Sequence, residues 1–178
     1  MAFAAVTQVG EAFVGSGAEA AHVNTVLGRR GGPVETAWAT ALATPRAGHV
    51  PFVVVLCPNL PVQPPTLFVN KATLSGDEQH ERLTWGAAQA GVAAGVTAAV
   101  CSGIVPANDV GALLLIAAVW VSPAAGDEGL VFANNRQATE TALAAGASGT
   151  PSVSDVLAAG EPENPYFGPP ARPVGDSG

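Results

Sequence analysis

The stretch VTQVGEAFVGSGAEAAHVNTVLGRRGGPVETAWATALA, residues 6–43, changes its pattern twice and so decides the fold. Residues 6–15 and 20–28 read as paired strands joined by a turn around Gly15 to Gly17. GRRGGP is a loop, and Pro33 is placed to start the helix VETAWATALA, on which Val34, Trp38, Ala41 and Leu42 share a face. Two neighbouring strands followed by a helix exclude a strict βαβ repeat. Further on, VPFVVVLC (50–57) is nearly all apolar and β-branched, which predicts a central strand. PNLPVQPP, with its prolines, reads as a rigid extended loop, and TLFVNKATL (66–74) as the next strand. Asp77 is placed to cap a long helix from about Glu78 to Val100, which Gly103 stops. GALLLIAAVWV is a further strand and DEGLVFANNRQATETALAA a final helix. The order β-β-α-β-β-α-β-α predicts an α+β two-layer sandwich.

Only 12% of residues are charged and 48% are apolar, too few polar groups to coat a small domain, so self-association is expected. The net charge of −7 argues against nucleic acid or an anionic membrane as partner. The opening MAFAAVTQVGEAF has no basic segment ahead of its apolar one, and no secretory leader is expected. The most apolar run, residues 111–121, is too short for a bilayer. Cys57 and Cys101 form no framework and no metal spacing; they read as small buried hydrophobes in a reducing cytosol. From Gly146 the composition turns to Gly, Pro and Ser. This divides the chain into a domain over 1–145 and a tail over 146–178, either disordered or an arm laid on a neighbouring subunit through Tyr166 and Phe167.

Chemistry is available at few places. His22 and Asn24 share one strand face, and Lys71 and Thr73 share another; a lysine inside an apolar strand is costly unless paired or facing a cleft. Gln89 lies among Ala and Gly, where an uncompensated amide is expensive. His49 is either structural or cleft-lining, and His80, among Glu78, Gln79 and Glu81, reads as solvated surface. GRRGGP is a weak anion-binding turn without nucleotide-loop spacing. No HExxH, CxxC or Ser-His-Asp order is present. Spacing alone leaves a polar cleft on an α+β domain, with His22 either a core or interface histidine or a catalytic one.

The blocks QVGEAFVGSGAEAAHVN, LGRRGGPVETAWATALATPRAGHVPF, PNLPVQPPTLFVNKATL, WGAAQAGVA and NNRQATETAL resemble, in order, the formaldehyde-activating enzyme family of tetrahydromethanopterin hydro-lyases. The resemblance covers about residues 6–145, with one extra residue near Ser75 to Gln79. It implies a ribosomal protein S5 domain 2-like subunit in a cytoplasmic, ring-shaped homopentamer, with active sites between neighbours. It also implies that formaldehyde and tetrahydromethanopterin condense to the methylene derivative and water, with the pterin as co-substrate and no metal or permanently bound cofactor. His22 matches the family's proton donor; Asn24, Val53, Lys71, Thr73 and Gln89 match its substrate-binding positions.

The chain departs from the family pattern at several of these positions. Asn24 stands where an aspartate is usual, Val53 where a leucine is, Arg29 where a proline is common, and WGAAQ replaces FGPAQ. An amide neither raises the pKa of His22 nor keeps it protonated, and it offers pterin N–H groups one donor in place of an acceptor; losing one charge-assisted hydrogen bond costs roughly 1.5–3 kcal/mol, about ten- to a hundredfold in rate or affinity. Asn24 therefore leaves a second reading open, a weakly catalytic relative that binds formaldehyde, a pterin or an adduct as sensor or carrier.

Overall fold

The structure is a computed structural model that describes residues 7–162 and residue 164. Among the described residues, seven strands and five α-helices form an α+β fold: β1 (Thr7–Val14), β2 (Ala21–Arg29), α1 (Pro33–Ala43), β3 (Phe52–Val53), β4 (Val55–Cys57), β5 (Leu60–Pro61), β6 (Thr66–Asn70), α2 (Glu78–Arg82), α3 (Gln89–Cys101), β7 (Leu113–Trp120), α4 (Glu128–Ser148) and α5 (Val153–Ala158). The main sheet runs β1-β2-β7-β6-β3, antiparallel except for the parallel β6–β7 pair.

Alternation along β2 and β7 sorts the sheet into two faces. Ala21, Val23 and Leu27 of β2, with Leu113, Leu115, Ala117 and Val119 of β7, point inward and pack under α3 and α4. Gly10 of β1 lets α4 come close, because a Cβ there would meet the Ala142 carbonyl oxygen. Gly91 and Gly95 do the same between α3 and α4, whose backbone carbonyls at Phe132 and Arg136 occupy the space a side chain would need. The intervening residues face the other way. There α1 lies against β2 and β7, and Val34 and Leu114 are buried apart from the main core.

The paired strands, the Pro33 helix start and the Asp77 cap, which accepts from the His80 amide, all form as expected. The helix from Glu78 to Cys101 is interrupted by one π turn, Leu83–Ala88, and ends before Gly103, whose φ is +81°. This is the one described helix long and apolar enough to cross a membrane, but 61% of its most apolar window is buried, as befits a core helix.

Several expectations need correction. VPFVVVLC is not a central strand; that place belongs to β7. Val54 breaks the run by bonding Thr66, leaving β3 at the sheet edge, while β4 turns off to pair with β5 in a separate ribbon. Its second strand, β5, lies within the segment read as loop. His80 is not solvated: it is 2% exposed, and its Nε2 donates to the Val121 carbonyl at 3.0 Å, just beyond the end of β7. Cys57 and Cys101 are exposed rather than buried. Leu42 of α1 is exposed as well, and Val34 is that helix's buried residue. Residues 146–148 complete α4, and α5 follows behind a Ser152–Asp155 capping box, so the start of the tail is helical. Tyr166 and Phe167 lie outside the described residues.

Candidate active site

On the outward face, beyond the part covered by α1, four polar side chains meet. Glu11 on β1 stands directly opposite Asn24 on β2, and His22 is diagonal to it. Glu11 Oε1 lies 2.9 Å from His22 Nε2. Lys71, one residue past β6, is kept in the outward register because its amide donates to the Val119 carbonyl. Its Nζ donates to Asn24 Oδ1 at 2.8 Å. The amide of Asn24 thus uses its carbonyl on the only lysine in the chain.

Burial lowers the Lys71 pKa to about 8, against the opposing pull of Glu11. An ammonium with that pKa is still charged at neutral pH. The His22 imidazole is held below its usual value, first by burial and then by the Lys71 charge, while Glu11 pushes it up through its charge and its hydrogen bond. Phe13, the register partner of His22 on β1, sets its ring 6.2 Å from the imidazole at 50°, and Trp120 is the partner on the β7 side. The result is a histidine fixed between aromatic neighbours and two opposite charges.

Thr73 does not share a strand face with Lys71. β6 ends at Asn70, whose buried side chain donates to the carbonyls of Gly48 and Ala72 and bends the chain. Thr73 lies instead against His49. His49 Nδ1 is 2.9 Å from the Asn70 carbonyl and must donate to it, so in the neutral ring Nε2 accepts from the Thr73 hydroxyl at 3.1 Å. His49 thus ties Thr73 to the end of β6.

A third group forms around a cleft of about 400 Å³ lined by Val50, Phe52, Val53, Val55, Trp85 and Gln89. The π turn places Trp85, which is 46% exposed, and Gln89 along one side. Gln89 Oε1 accepts from the Val55 amide at 2.8 Å, which anchors β4. Phe52 stacks on Phe68 beneath. Among the described residues no hydrogen bond joins this cleft to the His22 cluster.

The GRRGGP turn is satisfied internally and offers no anion site. Gly31 donates to Glu35 and Arg30 to the Gly111 carbonyl, while Arg29 faces Asp109 at 3.9 Å. No cluster of metal-ligating side chains occurs among the described residues. Sequence reasoning missed Glu11. The signal available was the alternation of β1, which puts Glu11 and His22 on one face once the two strands are paired.

The site thus combines an α+β sheet bearing an acid–base pair and a lysine on its open face with a separate apolar cleft. The family model described as formaldehyde-activating enzyme matches residues 9–167, past the limit near 145 that the sequence blocks suggested. The chain is 40% identical over 161 residues to a protein of Methanosarcina barkeri named 5,6,7,8-tetrahydromethanopterin hydro-lyase, with 90% of each chain covered. It is also similar to proteins named bifunctional enzyme Fae/Hps. The one from Methanosarcina mazei is 39% identical over 84% of this chain, and the one from Archaeoglobus fulgidus 38% identical over the same share. In both, the match spans 38% of the relative's own length. The chain belongs to the formaldehyde-activating enzyme family.

Proposed function

We propose that this protein condenses formaldehyde with tetrahydromethanopterin to give methylene-tetrahydromethanopterin and water. The observation that carries the reading is the His22–Glu11–Asn24–Lys71 cluster in a chain aligned over nine-tenths of its length with a tetrahydromethanopterin hydro-lyase. A pterin nitrogen adds to formaldehyde to form a carbinolamine, whose hydroxyl leaves only when protonated. His22 is the proton donor; an imidazolium is an acid able to protonate a leaving hydroxyl. Lys71 and Asn24 bind polar atoms of the pterin, Thr73 is set by His49 to do the same, and Val53 and Gln89 line the cleft for the ring. Holding both reactants in register is itself a large part of the rate gain.

The protein acts as a cytoplasmic homopentameric ring of ribosomal protein S5 domain 2-like subunits, self-associating rather than binding nucleic acid or membrane. Three observations support a site shared between copies: the His22 cluster and the Val53–Gln89 cleft are separate within one chain, the outward sheet face carries exposed Val9 and Phe13, and the ribbon carries exposed Leu56 and Leu60. The tetrahydromethanopterin is a co-substrate, and no permanently bound group or metal takes part.

Mixing the purified protein with formaldehyde and tetrahydromethanopterin tests the reading. Methylene product must form faster than the spontaneous background, and His22→Ala must lose that acceleration. A wild-type rate equal to background, with tight binding of the pterin, points instead to a carrier or sensor.

A further inference from the structure

We propose that Glu11 is the positioning carboxylate of this site: it holds His22 through Nε2, leaves Nδ1 to face the substrate, and keeps the imidazole able to carry a proton beside the Lys71 ammonium. The inference rests on reading His22 as the proton donor.

Three features of the cluster carry it. First, the 2.9 Å contact is made across the β1–β2 pair by a side chain whose outward, edge-strand place needs only solvent. Second, Asn24, the polar neighbour of His22 on its own strand, is turned to Lys71 and carries no charge, so it cannot perform the task. Third, Nδ1 of His22 has no hydrogen-bond partner among the described residues, while Phe13 limits rotation of the ring. A carboxylate on Nε2–H selects the tautomer whose free nitrogen is Nδ1, and it stabilises the imidazolium that carries a proton there.

The proton then moves as follows. Nδ1–H passes to the hydroxyl oxygen of the carbinolamine, the C–O bond breaks with its electron pair on oxygen, and water leaves. The lone pair of the pterin nitrogen forms the C=N bond of an iminium. The second pterin nitrogen adds to that carbon and closes the methylene bridge. Its proton goes to Nδ1 and restores the imidazolium. One formaldehyde and one pterin give one methylene-pterin and one water, with no electrons exchanged.

The charged groups facing His22 are Glu11 from β1 and Lys71 from beyond β6; β7 presents Ala118 and Trp120, which do not titrate in the working range. Glu19, in the turn before β2, is held by the Gly126 amide, and α4 lies under the opposite face. Burial and Lys71 both disfavour the imidazolium, and Glu11 is the group that opposes them.

The experiment follows His22 by nitrogen and carbon NMR titration in the full chain, wild type and Glu11→Gln, with His22→Gln to assign the signal. The same two proteins are assayed for condensation across pH. Glu11 is exposed, so signals away from the site are expected to stay put. Glu11→Gln is expected to lower the His22 titration midpoint and to abolish the preference for the Nε2–H tautomer. The fall in rate with rising pH moves to lower pH by the same amount. Activity at neutral pH drops about ten- to a hundredfold and returns as the pH is lowered. An unchanged His22 midpoint and tautomer, or a rate loss equal at every pH, overturns the proposal. If the wild type shows no acceleration, the enzymatic reading fails, and the NMR titration alone still decides whether Glu11 holds His22.

Discussion

The two faces of the main sheet come from the same strands and have opposite logic. Inward, β2 offers Ala21, Val23 and Leu27 to two helices, and close packing leaves no space even for a Cβ at Gly10. Outward, the alternate residues His22 and Asn24 meet Glu11 and Lys71, and no helix among the described residues packs over them. The inner face is stabilised by burial of apolar area; the outer face keeps a half-buried lysine and a histidine whose charged form is disfavoured. Stability and chemistry are thus separated by a single residue step along each strand.

That contrast breaks most sharply at His22. His22→Ala is expected to remove roughly 10²–10⁴ of the catalysed rate, measured as methylene product formed above background, while leaving the melting temperature nearly unchanged. Gly10→Ala attacks the other face. Its methyl would collide with the α4 backbone at Ala142, and a loss of about 1–3 kcal/mol in urea unfolding is expected, with activity falling only in step with folded protein. If Gly10→Ala instead alters the pH–rate profile, the two faces are not independent.

Asn24→Asp sharpens the comparison. A carboxylate at this place pairs with the Lys71 ammonium and adds a negative charge on the His22 face, so both groups hold their protons to higher pH. The rate at neutral pH is expected to rise about tenfold as more of His22 carries its proton. A flat or lower rate shows that the site has been refitted around the amide.

The smallest effect is expected at Lys71. Its folded-state pKa of about 8 lies below the ordinary 10.5, so between those values the unfolded chain binds the extra proton and stability rises with pH. Below pH 8 the cost of the half-buried charge is fully present. Lys71→Met should raise stability at neutral pH by about 0.5–2 kcal/mol, erase the rise between pH 8 and 10.5, and impair turnover. Thermal melts across that range check the sign.

Much of this was legible from local pattern. Alternation, Pro33 and Asp77 report on their own neighbourhoods, and the corresponding strands, helix start and cap formed where expected. The 50–65 region was not legible, since β-branched residues favour strand whether a segment ends in the main sheet or in a small ribbon beside it. His80 shows the same limit: its helical neighbours are polar, and only the free Val121 carbonyl, 41 residues on, draws it inside. Thr73 parts from Lys71 because the Asn70 side chain bends the chain between them, a bond that strand periodicity does not register.

By itself, then, the sequence determined the α+β class, the alternation that turns His22 and Asn24 to one face, and membership of the formaldehyde-activating enzyme family. The tertiary structure decided what those residues touch. It brought Glu11 to His22, spent the Asn24 carbonyl on Lys71, and set Thr73 on His49. Periodicity fixes direction within a strand, whereas partners across a sheet depend on register, and register is settled only when the whole inner face packs.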